Sequence, residues 1–322
     1  MAEPPCKVAR TDGGKIDRDQ IYAIVPARAG SKGVKGKNIR DFCGKPLMGW
    51  QIENGLKSKY IKRVFVSTDS EEYRQVALKC GAEVPFLRPA EISHDTATDF
   101  QLMEHFLGWM AENEPHNKPS LIVQLRPTAP CLTVQTVDAA IELFLKHEDE
   151  DYDSLRSVTP HDHEPFNMYF LDPRENVRLT PVIPVSHHKD DPSQIIEEPQ
   201  SVARQILPKI YWHNAYVDIM RPRVITEQKC CMGKRCLAFH MNPDDTADID
   251  TLDGGPVEGR GGQKEGAAGG FSMSSCRPEQ CPLQPALGTC CAFRGGLVAR
   301  NFSGACLSTS ALVPGVSPRA DG

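Results

Sequence analysis

Four short apolar runs stand out along the chain: Ile21 to Val25, Val64 to Val66, Leu121 to Leu125 and Tyr216 to Ile219. Polar or turn-forming residues bound them, and each has the length of a buried strand. Between them the apolar positions follow a helical period. Val134, Val137, Ile141, Phe144 and Leu145 fall on one face and predict an amphipathic helix from about Val134 to His147. Leu47, Trp50 and Leu56 predict a second helix after Pro46, and Gln101 to Glu112 a third. Strands alternating with helices predict an α/β fold with a doubly wound, mostly parallel sheet. In such sheets ligands bind outside the carboxyl ends of the strands.

Three stretches depart from this pattern. Residues 1–19 are polar and unpatterned, and a flexible N-terminal arm is expected there. Residues 161–208 are rich in Pro, His and charge with weak periodicity. A stretch of that length without regular structure is uncommon in a compact domain unless functional, so it reads as a substrate lid, a dimerisation arm or a long loop. After Asp253 the composition turns to Gly, Ser, Pro and Ala with scattered cysteines, and residues 254–322 are expected to be low-complexity and without a packed fold. The expected organisation is one folded domain over residues 20–253 between two tails.

Composition narrows the partners. A net charge of −5 argues against nucleic acid or an anionic membrane as partner of the whole surface, so any anion-handling site must draw its positive charge locally. No apolar run approaches the roughly 20 residues of a membrane-crossing helix. The N-terminal Met-Ala-Glu-Pro-Pro lacks the apolar segment of a secretory signal, so a cytoplasmic or nuclear, not secreted, protein is expected. In such a reducing compartment the 12 cysteines are expected as thiols rather than a disulfide framework.

The densest chemistry directly follows the first predicted strand, in Pro26-Ala-Arg-Ala-Gly-Ser-Lys-Gly-Val-Lys-Gly-Lys-Asn38. Arg28, Lys32, Lys35 and Lys37 put four cations on one loop. Gly30, Gly33 and Gly36 allow it to turn tightly and to bring its backbone close to a ligand. Backbone N–H groups plus Arg and Lys at a strand's carboxyl end suit a triphosphate. The Gly-Lys-Ser/Thr ending of a Walker loop is absent. A solvated basic turn is the plainer reading, and four cations beside a buried strand in an acidic protein weigh against it.

Asp248-Ile-Asp250 is a weaker signal. Side chains two apart on an extended segment share a face, and two carboxylates so placed can hold a hard cation such as Mg²⁺. An Asp-x-Asp pair by itself is more often simply solvated. His161, His163, His187 and His188 read as hydrogen-bonding residues rather than metal ligands.

Pro26 to Asn38 followed by Gly44-Lys-Pro-Leu47 resembles the N-terminal signature of the acylneuraminate cytidylyltransferases, the CMP-sialic acid synthetases. The resemblance continues through Val66-Ser-Thr-Asp69, Leu87-Arg-Pro-Ala-Glu91, His94-Asp-Thr-Ala97 and Leu125-Arg-Pro-Thr-Ala-Pro130. It extends to Arg204-Gln-Ile-Leu-Pro208, the strand around Asn214, and Asp248-Ile-Asp-Thr251. These segments occur in order from Ile21 to Asp253.

The resemblance implies a Rossmann-like fold of nucleotidyltransferase type with an inserted dimerisation or substrate arm. It implies transfer of CMP from CTP to the anomeric 2-hydroxyl of a sialic-acid-type nonulosonic acid, with release of pyrophosphate. Arg28, Lys32 and Lys37 fall on positions that hold the CTP phosphates, and Asn38 and Arg88 on positions near the cytosine. Asp248 and Asp250 match the metal-binding pair, with Mg²⁺ as the expected ion. Arg204 matches a basic residue on the sugar-acid side, where Arg126 and Asn214 are also expected. The 161–208 region matches the arm of a homodimer.

Two departures qualify the resemblance. The family often has Gln where Arg126 stands, so an arginine is expected to add charge beside the acceptor. The residues after Asp253 resemble nothing in the family. A transferase for the eight-carbon analogue Kdo is the alternative, against which Ser31 to Asn38 speak; a form that binds nucleotide without turnover is another.

Overall fold

The computed structural model describes residues 15–31, 35–160, 165–174, 177–243, 247–251 and 298–301. Six strands form the central sheet: β1 (Ile21–Pro26), β2 (Arg63–Ser67), β3 (Leu121–Leu125), β4 (Ser154–Pro160), β5 (Tyr211–Met220) and β6 (Cys236–His240). Their spatial order is β6-β4-β5-β3-β1-β2. β2, β1 and β3 run parallel, as do β4 and β6, and β5 is antiparallel to both its neighbours. The expected mostly parallel sheet is present, with one reversed strand. From β1 the chain crosses to β2 on one side and then returns to place β3 on the other. The gap beyond the carboxyl ends of β1 and β3 is thus the sheet's topological switch point, where such folds hold ligands.

The four strands read from the sequence are present, and β5 is longer than its apolar run. β4 and β6 carried no comparable signal, because Ser154, Arg156, Ser157 and Thr159 interrupt the apolar residues of β4 and the apolar run of β6 is short. The three predicted helices are α1 (Leu47–Lys57), α3 (Asp99–Asn113) and α4 (Val134–Lys146). α3 begins two residues before the expected Gln101, because Thr98 and Gln101 form a capping box. α2 (Glu71–Lys79) buries only Tyr73 and Ala77, so its apolar stripe is thin; its sequence mark is the Ser70 cap followed by Glu71 and Glu72. A short α5 (Pro222–Thr226) follows β5.

Helices cover both faces of the sheet. On one, Met48, Ile52, Tyr73, Ala77, Val137, Ile141 and Phe144 pack on Ala23, Val25, Val64, Val66 and Val123. On the other, Leu102, Met103, Phe106 and Ile225 pack on Tyr22, Ile24, Phe65, Ile122 and Met220. Gly55 lets α1 approach the sheet, since a Cβ there would stand 2.8 Å from Val64 Cγ2.

Within the unpatterned 161–208 stretch the described residues form short hairpins, Tyr169–Leu171 with Leu179–Pro181 and Ser186–His187 with Ile195–Ile196. Phe166, Ile196 and Leu207 give this region a small core of its own. Ala247–Thr251 is a strand outside the central sheet, paired antiparallel with Val298–Asn301. Apart from Val298–Asn301, the 254–322 stretch lies outside the described residues, as do residues 1–14. Among the described residues no helix is long and apolar enough to cross a membrane.

Candidate active site

The basic loop leaves β1 at Pro26 and is fastened from both sides. The Ala27 N–H donates to the Ser67 carbonyl at 3.0 Å, and the Ala29 N–H donates to Asp69 Oδ1 at 2.8 Å. At its far end Gly36 adopts φ +71°, a left-handed conformation that favours glycine, and starts the turn Lys37–Ile39. Asn38 is buried, and its Nδ2 donates to the Arg28 carbonyl at 3.1 Å, closing the loop on itself. Lys37 is also buried. Lys32 and Gly33 lie outside the described residues.

Arg28 sits 2.8 Å from Asp95, so the loop's first cation already has a carboxylate partner. A triphosphate arriving here would compete with Asp95 for it. Arg88 is buried beneath the same loop end. Its Nε donates to Ser67 Oγ at 3.0 Å and its Nη2 to the Ser67 carbonyl at 2.6 Å. Burial, together with the nearby Arg28, pushes its pKa down to about 10 against the pull of Asp69 and Asp99. Arg88 therefore remains charged at neutral pH.

Arg126 follows β3 directly. Its charge is paired within the protein: its Nη1 donates to Asp218 at 2.7 Å and its Nη2 to Asp99. Burial by itself would lower its pKa, but the two carboxylates outweigh it and hold the pKa above the ordinary range. Asp218 is buried and also accepts from His213 Nε2 at 2.8 Å, with Arg156 Nη1 at 3.4 Å. Burial would raise its pKa, and His213, Arg126 and Arg156 overcome this and hold the carboxyl below its usual value. Cys231 lies near Asp99, Arg156 and Arg126, and burial pushes its thiol up to about 11.

Arg28, Asn38 and Arg88 thus come together at the switch point, with Arg126 tied to them through the 95–99 segment: Asp95 pairs with Arg28, Asp99 with Arg126. Other predicted residues lie apart. Asn214 is buried in the β5 bulge, where Ala215 has φ +58°; its Oδ1 accepts from the Tyr216 N–H at 3.3 Å and its Nδ2 reaches Met241 Sδ at 3.5 Å. Arg204 is exposed on a single 3-10 turn, Arg204–Ile206. Asp248 and Asp250 occupy alternate positions of the strand Ala247–Thr251. The carboxylates that organise the cations, Asp69, Asp95, Asp99 and Asp218, were not singled out from the sequence. Asp69 and Asp95 do lie in segments that carried the family resemblance.

The cytidylyltransferase family model matches residues 22–171. The N-acylneuraminate cytidylyltransferase of Escherichia coli O18:K1:H7 is 29% identical over 233 residues, 72% of this chain and 50% of that protein. The N-acylneuraminate cytidylyltransferase A of Danio rerio is 37% identical over 138 residues, 43% of this chain and 30% of that protein. The pseudaminic acid cytidylyltransferase of Campylobacter jejuni is 37% identical over 126 residues, 39% of this chain and 53% of that protein. The chain spans about half, or less, of the length of these relatives. The segment that the cytidylyltransferase family model matches, residues 22–171, holds the basic loop, Arg88 and Arg126 in one frame at the switch point.

Proposed function

We propose that this protein transfers CMP from CTP to the anomeric 2-hydroxyl of a nonulosonic acid, releasing pyrophosphate. The observation that carries the reading is the fastened cationic loop at the switch point with Arg88 buried beside it. Arg28 and Lys37 hold the phosphates, and Arg88 offers charged donors to the O2 and N3 acceptors of cytosine, with the Asn38 amide beside it. Lys32 is assigned to the same phosphates from its place in the loop sequence. The names of the relatives support an acidic sugar as acceptor.

In the proposed reaction the sugar hydroxyl attacks the α-phosphorus in line. A P–O bond forms to the sugar, the bond to the β-phosphate oxygen breaks, and the charge of departing pyrophosphate falls to Arg28 and the loop lysines. Asp248 and Asp250 fit Mg²⁺ in donor chemistry, since alternate strand positions share a face and carboxylates are hard oxygen donors. The ion would supply charge neutralisation on phosphate oxygens. Arg204 and Asn214 are assigned to the acceptor side.

Pyrophosphate release from CTP and Mg²⁺ tests the reading, with N-acetylneuraminic acid, its deaminated analogue and Kdo offered separately. Release with a nine-carbon acid is expected. Release with Kdo alone would shift the acceptor to the eight-carbon class, and silence with all three would overturn the reading.

The arm also supports a homodimer. Phe170, Leu171 and Leu179 are 63%, 49% and 59% exposed on one hairpin, more apolar surface than a solvated hairpin carries without a partner. Phe170→Asp is expected to convert a dimer into a monomer by light scattering. A monomeric wild-type protein would remove the dimer.

A further inference from the structure

The basic loop is held by its backbone, which leaves the Arg28 guanidinium as its movable part. The Ala29 N–H donates to Asp69 Oδ1 at 2.8 Å, and the Arg28 carbonyl accepts from the buried Asn38 amide at 3.1 Å. Further along, Arg40 Nε donates to the Lys35 carbonyl at 3.1 Å. The main chain on both sides of the Arg28 side chain is therefore fixed. The side chain itself is 31% exposed, and its Nη1 donates to Asp95 Oδ1 at 2.8 Å. A change of partner by this guanidinium need not disturb the loop.

Asp95 comes from the segment that joins the turn Ala90–Ile92 to α3, and this segment is anchored at both ends. Ser93 is buried; its Oγ donates to the Pro89 carbonyl at 2.7 Å and its N–H to the Ala90 carbonyl at 3.1 Å. On the other side the Thr98–Gln101 capping box starts α3, whose Leu102 and Met103 are buried in the core. Between the anchors His94, Asp95 and Thr96 are exposed, and the Ala97 N–H turns back to the His94 carbonyl at 3.1 Å. The Asp95 side chain is 35% exposed. A carboxylate tethered in this way stays within reach of Arg28 whether or not it is paired with it. A partly exposed ion pair is also weak enough to yield to a phosphate, which brings more charge and more acceptor oxygens.

The proposed phosphate site thus contains an anion of its own. A triphosphate that arrives exchanges places with Asp95 on Arg28, and the exchange runs backwards when pyrophosphate leaves. We propose that Asp95 is a residue of product release: it takes the Arg28 guanidinium back from pyrophosphate, so the loop binds pyrophosphate less tightly than its cations alone would. CTP meets the same competition but keeps the contacts proposed for its base at Arg88 and Asn38. Pyrophosphate has no base and cannot draw on them. The inference rests on the proposed CMP transfer and deepens it, because it gives Asp95 a part in the cycle after the new P–O bond has formed.

The test is calorimetric titration of the full chain with pyrophosphate, and separately with CTP, both without Mg²⁺. Asp95→Asn keeps the shape of an exposed side chain and removes its charge. It is expected to bind pyrophosphate about fivefold more tightly than the wild type, the upper range for an exposed ion pair. Asp95→Glu restores the carboxylate and is expected to bind pyrophosphate as the wild type does. In an Arg28→Gln background, Asp95→Asn is expected to change the affinity by less than about twofold, because the competition acts through Arg28. A pyrophosphate affinity that does not rise in Asp95→Asn, or a gain that persists in full without Arg28, overturns the release role and leaves the reaction standing. A wild type that binds neither CTP nor pyrophosphate overturns the reading of function and the release role with it.

Discussion

Asp250→Asn is expected to slow pyrophosphate release by about a hundredfold or more, the scale of losing one preorganised charge-stabilising group at a phosphoryl centre. Asn keeps the side-chain shape but presents a neutral oxygen where the proposal needs an anionic one. Asp248 and Asp250 lie on Ala247–Thr251, a strand outside the six-stranded sheet. Because Asn keeps the size and shape of the side chain, the melting temperature is expected to stay at the wild-type value. Affinity for CTP, measured with Mg²⁺ present, should fall while affinity in its absence stays the same. Turnover at the wild-type rate would remove the metal role from Asp250 and leave the nucleotide loop as the main carrier of the reading.

The second large effect concerns stability. Arg126→Met removes the cation shared by Asp99 and Asp218 and leaves Asp218 buried with only the 3.4 Å contact to Arg156 and the His213 hydrogen bond. Breaking a buried ion pair from one side costs about 3–5 kcal/mol, because the remaining charge keeps its desolvation penalty. Arg156 and His213 place the expected loss at about the lower end of that range. Urea denaturation with an unchanged slope would read it directly. A loss below about 1 kcal/mol, the level of an exposed ion pair, would mean that the cluster does not act as a buried unit.

The same cluster predicts a pH dependence. Burial opposes ionisation of Asp218, but His213, Arg126 and Arg156 hold its folded pKa below the ordinary value. Its contribution to stability is therefore complete above the unfolded aspartate pKa of ~3.9 and is lost as pH falls through the lower folded value. Asp218→Asn should flatten the stability profile below about pH 4 relative to the wild type.

Much of this protein was legible in its sequence wherever the physical signal was local. β1, β2 and β3 are dominated by apolar residues because they are buried on both faces, with Gln124 the one polar residue inside β3, and α4 repeats its apolar residues every three or four positions because one side alone meets the sheet. The basic loop could be read in the same way, since its cations and glycines lie within thirteen consecutive residues. The tertiary structure decided what depends on residues far apart. β4 and β6 exist because neighbouring strands satisfy their backbones, although Arg156 breaks the apolar pattern of β4 and β6 has only a short apolar run. Arg126 reads as an added charge until the fold sets it against Asp99 and Asp218, 27 and 92 positions away, which neutralise it. Arg156 looks like an interruption in a strand until register sets it opposite Asp218. Local periodicity determines which segments bury their side chains. The partner of a charge is determined by strand order and register, and no short window of sequence contains these.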